Sequence, residues 1–177
     1  MAGDDDGGTS MSKLEAVEVR RIGAGQAGDY RAIRLAALQH DPDAFGSTYE
    51  VEVARPLAWF EEATRNLAIF GAYADGRIVG MLGFGRHAGA KIQHKGFLWG
   101  MFVHPSQRRH GVGAALLQAA IEHASSEVEQ ITLSVVTTNR SAIALYEKFG
   151  FTAYGHETRA LKIDGNYADE VLMVRFC

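Results

Sequence analysis

Hydrophobic and polar residues change their spacing several times along the chain, and each change marks an element. Residues 16–22 alternate, with Val17, Val19 and Arg21 set against Glu18 and Arg20, and this predicts a first strand. Over residues 26–40 the apolar positions Ile33, Leu35, Ala36 and Leu38 predict an amphipathic helix. It should end before Asp41-Pro42, because a residue preceding proline avoids helical dihedrals. A second helix is predicted from near Pro56 through Trp59, Phe60 and Ala63, with the proline in its first turn. Residues 67–74 and 77–86 are strand-like runs joined at Asp75-Gly76, a dipeptide suited to a tight hairpin. A loop containing Gly and Lys covers residues 87–94, and the apolar run GFLWGMFV at residues 96–103 predicts a strand leading into His104-Pro105.

The second half reads as strand and helix in turn. A helix places Val112, Leu116, Ala119, Ala120 and His123 on one face, with Gln118 and Glu122 opposite. Residues 131–136 form a buried-type strand, and residues 141–149 a short helix stopped by Gly150. Residues 151–159 and 166–176 complete the chain as strands around Asp164-Gly165. A central strand-helix-strand unit implies a right-handed parallel crossover, whereas the hairpins impose antiparallel pairing. The expectation is a mixed sheet in an α/β (α+β mixed) domain. No repeat or interior linker divides residues 14–177, which are expected to form one domain. Residues 1–13 are acidic and rich in Gly and Ser and are expected to be a disordered tail. They lack the basic and apolar regions of a signal peptide, and Met11 is an alternative start.

Composition narrows the function classes. A net charge of -3 gives no general attraction to polyanions, so nucleic acid is not an expected partner and any anion site must be local. No apolar run approaches the roughly 20 residues that span a bilayer, so no membrane partner is expected. The one cysteine, Cys177, excludes an internal disulfide and suits a cytoplasmic location. Seven histidines without metal-ligand spacing predict no metal site.

The chemistry concentrates in one stretch, from Met101 through Phe102 and Val103 to Gln107, Arg108, Arg109, His110, Gly111, Val112 and Gly113. A buried strand feeds a loop with two arginines and two glycines, and the loop opens a helix. Glycine lets the backbone approach a ligand, and a helix N-terminus offers unsatisfied N–H donors and partial positive charge. Arginine adds a fork of donors suited to phosphate. A solvated basic turn before an ordinary helix is the alternative. Two other phosphate motifs fail: Leu116 stands where a dinucleotide fingerprint needs its third glycine, and no P-loop sequence occurs.

Arg108-x-x-Gly111-x-Gly113, between strand and helix, resembles the acyl-CoA pyrophosphate loop of the GNAT superfamily of N-acetyltransferases. The block NRSAIALYEKFGF, from Asn139 to Phe151, is similar to the superfamily's second cofactor segment. The resemblance implies a strongly twisted mixed sheet of about seven strands flanked by about four helices, splayed to admit the pantetheine arm of acetyl-CoA. It implies that the backbone at Met101 and Val103 pairs with that arm, that residues 107–113 hold the pyrophosphate through main-chain donors, and that Asn139 contacts the arm. It places Tyr146 at the sulfur and implies no metal.

Acetyl transfer to an amine expels a thiolate, which leaves more readily when an acid protonates it. Tyr146 is the expected acid, although Ala142, Leu145, Tyr146 and Phe149 also fit a packing face. The oxyanion donor is expected to be a backbone N–H in residues 99–103. The base stays open among Glu50, Glu52, His94, His104 and a water chain. The acceptor side is expected at the N-terminal helices, where Tyr49 and Glu50 belong to an acidic group that would attract a cationic amine or else form a solvated helix face. A small-molecule amine is the expected acceptor, with a protein N-terminal or lysine amine as the alternative. A non-catalytic acetyl-CoA-binding regulatory module is a further alternative. The resemblance implies a homodimer, which the apolar residues 171–176 would serve as well as they would serve a monomer's core.

Overall fold

The computed structural model describes residues 17–177. The expected tail, residues 1–13, lies outside the described residues, as do residues 14–16. Seven strands, β1 (Glu18–Arg21), β2 (Ala68–Ala74), β3 (Arg77–Arg86), β4 (Lys95–Val103), β5 (Gln130–Val136), β6 (Thr152–Ile163) and β7 (Asn166–Phe176), form one sheet in the order β1-β2-β3-β4-β5-β7-β6. β4 and β5 are parallel, and the other neighbouring strands pair antiparallel. The helices are α1 (Ala27–His40), α2 (Tyr49–Val53), α3 (Leu57–Asn66), α4 (Val112–Ser125) and α5 (Arg140–Lys148).

Sequence periodicity predicts about four helices, and the described residues hold five. The addition is α2, whose 5 residues are too few for a 3.6-residue period to show. Pro56 is the N-cap of α3 rather than a residue of its first turn, and α3 continues to Asn66. β6 runs to Ile163, beyond the expected residue 159, because a bulge between Glu157 and Leu161 lets pairing with β7 resume. There Arg159 has φ 58°, and its N–H donates to Asp169 Oδ1 at 2.8 Å. β7 pairs with β5 only from Glu170 onward, so the outer parts of β6 and β7 project as a two-stranded arm.

Both faces of the sheet are covered. Buried residues of α4 (Val112, Leu116, Leu117, Ala120), with Tyr146 and Phe151, pack on Phe70, Leu82, Leu98 and Leu133. On the other face Tyr30, Ile33 and Ala37 of α1, with Phe60 of α3, pack on Ile69, Met81 and Phe102. Adjacent residues such as Ile69 and Phe70 therefore serve opposite layers, as the two-residue period of a strand requires. β2 is buried at every position, which is why its sequence is a continuous apolar run.

β4 breaks this alternation. Trp99 pairs with Gly83 and Phe102 with Met81, so Gly100 and Met101 together face Leu82 in a bulge. Gly100 has φ 69°, a backbone conformation that a side chain would strain. The extra residue inverts the faces beyond it: Met101 and Val103 join the α4 layer, and Phe102 joins the α1 layer.

Candidate functional site

The parallel strands part company after a short contact. β4 and β5 pair only at Lys95↔Gln130, Gly96↔Ile131 and Phe97↔Thr132. Farther along, β5 pairs with β7 and β4 with β3, leaving residues 98–103 without a strand partner on the β5 side. The His104 N–H donates to the Val79 carbonyl of β3 at 2.8 Å. Alternation along the strand then turns the backbone groups of Val103 and Met101 toward the gap. The Val103 carbonyl accepts from Arg108 Nε at 2.9 Å.

Beyond β4 the chain turns sharply. His104 accepts at Nδ1 from the Ser106 N–H, opening a 3-10 turn at Pro105–Gln107. Arg109 follows at φ 65° and Gly111, the N-cap of α4, at φ 80°. The N–H groups of residues 109–114 have no hydrogen-bond partner among the described residues, and the first turn of α4 carries no acidic residue. Consecutive free donors at the start of a helix of 14 residues are a cradle for an anion. A Cβ at Gly113 would lie 3.4 Å from Leu145 and 3.5 Å from Met101 Cε, so the glycine keeps space between α4, α5 and β4. These free donors are all main-chain groups. Arg108 instead pairs with Asp41 beyond the end of α1, while Arg109 and His110 are exposed.

On the same face as α4, α5 begins at Asn139, whose Oδ1 accepts from the Ala142 N–H at 3.2 Å and the Ser141 hydroxyl at 3.1 Å. Asn139 is thus a helix cap whatever else it does. Tyr146 is 6% exposed and packs edge-on against Phe151, with ring centroids 5.9 Å apart. Burial pushes its hydroxyl up to about 12, so it is protonated throughout the neutral range. The hydroxyl makes no hydrogen bond among the described residues.

The opposite face carries the N-terminal helices. Tyr49 and Glu50 lie in the first turn of α2, Tyr49 half-buried and Glu50 exposed. The tip of the β6–β7 arm reaches this side, with Leu161 Cδ2 3.9 Å from where a Cβ on Gly46 would lie. Glu52 is not a free base: both its oxygens accept from Arg34, at 2.9 and 2.7 Å. His94 precedes the start of β4, roughly 20 Å along the strand from Gly100 at about 3.3 Å per residue. Sequence reasoning missed two features here. The Gly100 bulge had a signal, since glycine inside a strand often marks one. Arg34 had one too, as a charge within the apolar stripe of Tyr30, Ile33, Ala37 and Leu38.

The fold thus places a run of free main-chain donors at the end of one parallel strand, beside a gap in the sheet, with Tyr146 in the same layer as α4. Residues 34–151 match the Acetyltransferase (GNAT) family, and the chain belongs to that family. It is 29% identical over 151 residues to the L-amino acid N-acetyltransferase AaaT of Escherichia coli (strain K12), covering 83% of this chain and 91% of that protein. It is 34% identical over 85 residues to N-alpha-acetyltransferase 60 of Drosophila melanogaster, and there it spans only 31% of the relative's length. Among solved structures, a putative acetyltransferase from Salmonella typhimurium with its cofactor acetyl-CoA superposes with a TM-score of 0.79 at 20% identity, over 91% of this chain and 94% of that one.

Proposed function

We propose that the protein transfers an acetyl group from acetyl-CoA to a primary amine by direct attack in a ternary complex. The observation that carries this reading is the run of unpartnered N–H groups at residues 109–114, set beside the β4–β5 gap. Those donors would take the pyrophosphate, and the gap-facing backbone at Met101 and Val103, whose carbonyl Arg108 Nε also reaches, would take the amides of the arm. Asn139 would contact the arm while capping α5. Acetyl-CoA supplies an activated thioester acyl group and a thiol leaving group.

The chain's own residues do the rest. A backbone N–H at the Gly100 bulge would donate to the acyl carbonyl oxygen as negative charge builds there. The Tyr146 hydroxyl would give its proton to the departing sulfur. Its raised pKa keeps it in the acid form, and a sulfur anion close by accepts a proton more readily than water does. Tyr49 and Glu50 would border the acceptor. The base that frees the amine would be Glu50, His104 or a water chain.

A small-molecule acceptor is favoured by the near full-length match to an amino-acid acetyltransferase. A protein N-terminal amine is the second reading, motivated by the shorter match to N-alpha-acetyltransferase 60. Free-thiol release from acetyl-CoA, measured with pooled amino acids, polyamines, aminoglycosides and short peptides, tests both. Amine-dependent release with an acetylated product establishes the enzyme and its acceptor class. Acetyl-CoA binding without release from any pool favours a regulatory module, and absence of binding removes the reading.

A further inference from the structure

Arg34 sits in the middle of the buried stripe of α1, 8% exposed, and its partner Glu52 is 4% exposed. Removing two charges from water costs several kcal/mol per ion, and apolar residues of similar volume often replace such a pair without loss of stability. Stability alone therefore gives weak reason for the pair. Its geometry gives a better one. Nε and Nη2 are both taken by Glu52, while the rings of Phe45 and Trp99 lie 5.2 and 5.8 Å from the guanidinium carbon. Those contacts fix the plane of the guanidinium and aim its third nitrogen.

That nitrogen, Nη1, donates to nothing among the described residues, and it is not among the buried atoms sealed from solvent. It lies 3.7 Å from where a Cβ on Gly100 would be, and so faces the β4 bulge. It does so from the α1 side, whereas the phosphate cradle and Tyr146 belong to the α4 layer. If the cofactor's reactive end reaches the bulge from the cradle side, Arg34 meets the acceptor.

We propose that Arg34, oriented by Glu52, binds the carboxylate of the acceptor, and that the acceptor is a free α-amino acid. A carboxylate matches a planar N–H donor, and one carbon separates it from the amine that must reach the bulge. Pairing with Glu52 also matters for charge. A lone arginine would repel the ammonium group of an arriving zwitterion, whereas the neutral pair leaves directed donors without net charge. The proposal rests on the acetyltransferase reading and narrows its substrate class.

The test compares several L-amino acids with the amines formed by removing the carboxyl group and with the corresponding carboxamides. Each is assayed for acetylation by the full-length protein. The expected result is a kcat/KM for the acids at least tenfold above that for both neutral counterparts. The paired substitution Arg34→Met with Glu52→Met removes both charges at similar volume and should retain the fold. It should lower kcat/KM for the acids on the order of 10²-fold while changing the amines by less than about 3-fold. Acetyl-CoA affinity should not move. Arg34→Lys, which keeps a charge but loses the fork, should also erase most of the acid preference. A merely structural role would lower all three substrate classes together. Equal use of acids and amines by the unsubstituted protein, or acid preference surviving either variant, overturns the proposal. So does acetylation confined to polyamines or peptides. Each of these results leaves the acetyltransferase itself established.

Discussion

Tyr146 has a packing role and a proposed chemical one, and the two can be separated. Its ring fills the layer between α5 and the sheet against Phe151, while its hydroxyl bonds to nothing among the described residues. Tyr146→Phe keeps the ring and removes the proton. Since no hydrogen bond is lost, stability should stay within about 0.5 kcal/mol, read from the denaturant midpoint. Turnover should fall on the order of 10²-fold in steady-state assays, the usual contribution of a positioned acid, with acetyl-CoA affinity by calorimetry unchanged. Unchanged turnover would remove Tyr146 from the chemistry and leave it a packing residue.

At the scale of elements, the site depends on how helices begin and where one strand bulges. α4 starts at a glycine with φ 80° and leaves its first donors free, whereas α5 starts at Asn139 and has its Ala142 donor satisfied. The contrast suits one helix end to a ligand and the other to its own fold. Asn139→Ala removes the cap acceptor and should cost about 1 kcal/mol in chemical denaturation. Asn139→Asp retains an acceptor oxygen and should preserve stability, but it replaces the side-chain amide donor with a negative charge. A fall in acetyl-CoA affinity for the aspartate variant, at preserved stability, would mark Asn139 as a direct contact. Equal affinity would confine it to capping.

The molecule as a whole buries tyrosines on both faces of the sheet, Tyr30 from α1 and Tyr146 from α5. Burial pushes Tyr30, on the inner face of α1, and Tyr146, on the inner face of α5, up to about 12. Burial, aided by a 3.0 Å hydrogen bond to Asp29, pushes Tyr73 to the same level. In the unfolded chain these groups lose their protons near pH 10. The folded state therefore holds its protons more tightly, and the associated stability is complete below pH 10 and lost as pH rises toward 12. Tyr30 and Tyr146 should each contribute a loss of about 2 kcal/mol by the end of that window. Denaturant unfolding measured from pH 8 to 12, followed by tyrosinate absorbance, checks this. Stability independent of pH above 10 would mean that the phenols are solvated in the folded state.

Much of this architecture is written locally. The Asp75-Gly76 hairpin, the apolar runs of β2 to β5 and the face of α4 follow from hydrophobic period and turn chemistry within a dozen residues of each position. The glycine loop before α4 was legible for the same reason, since its donors belong to consecutive residues. The tertiary structure decided what depends on partners distant in sequence. Arg108 reads as a phosphate ligand from its loop, and only the fold shows that its guanidinium meets Asp41, 67 residues away in the chain. Glu52 looked like a free acid until Arg34, 18 residues earlier, proved to hold both its oxygens. The parting of β4 from β5 after three paired residues is a property of two strands and the neighbours that compete for them. A sequence fixes the period and chemistry of each segment, but a side chain's hydrogen bonds go to whichever group folding brings within reach.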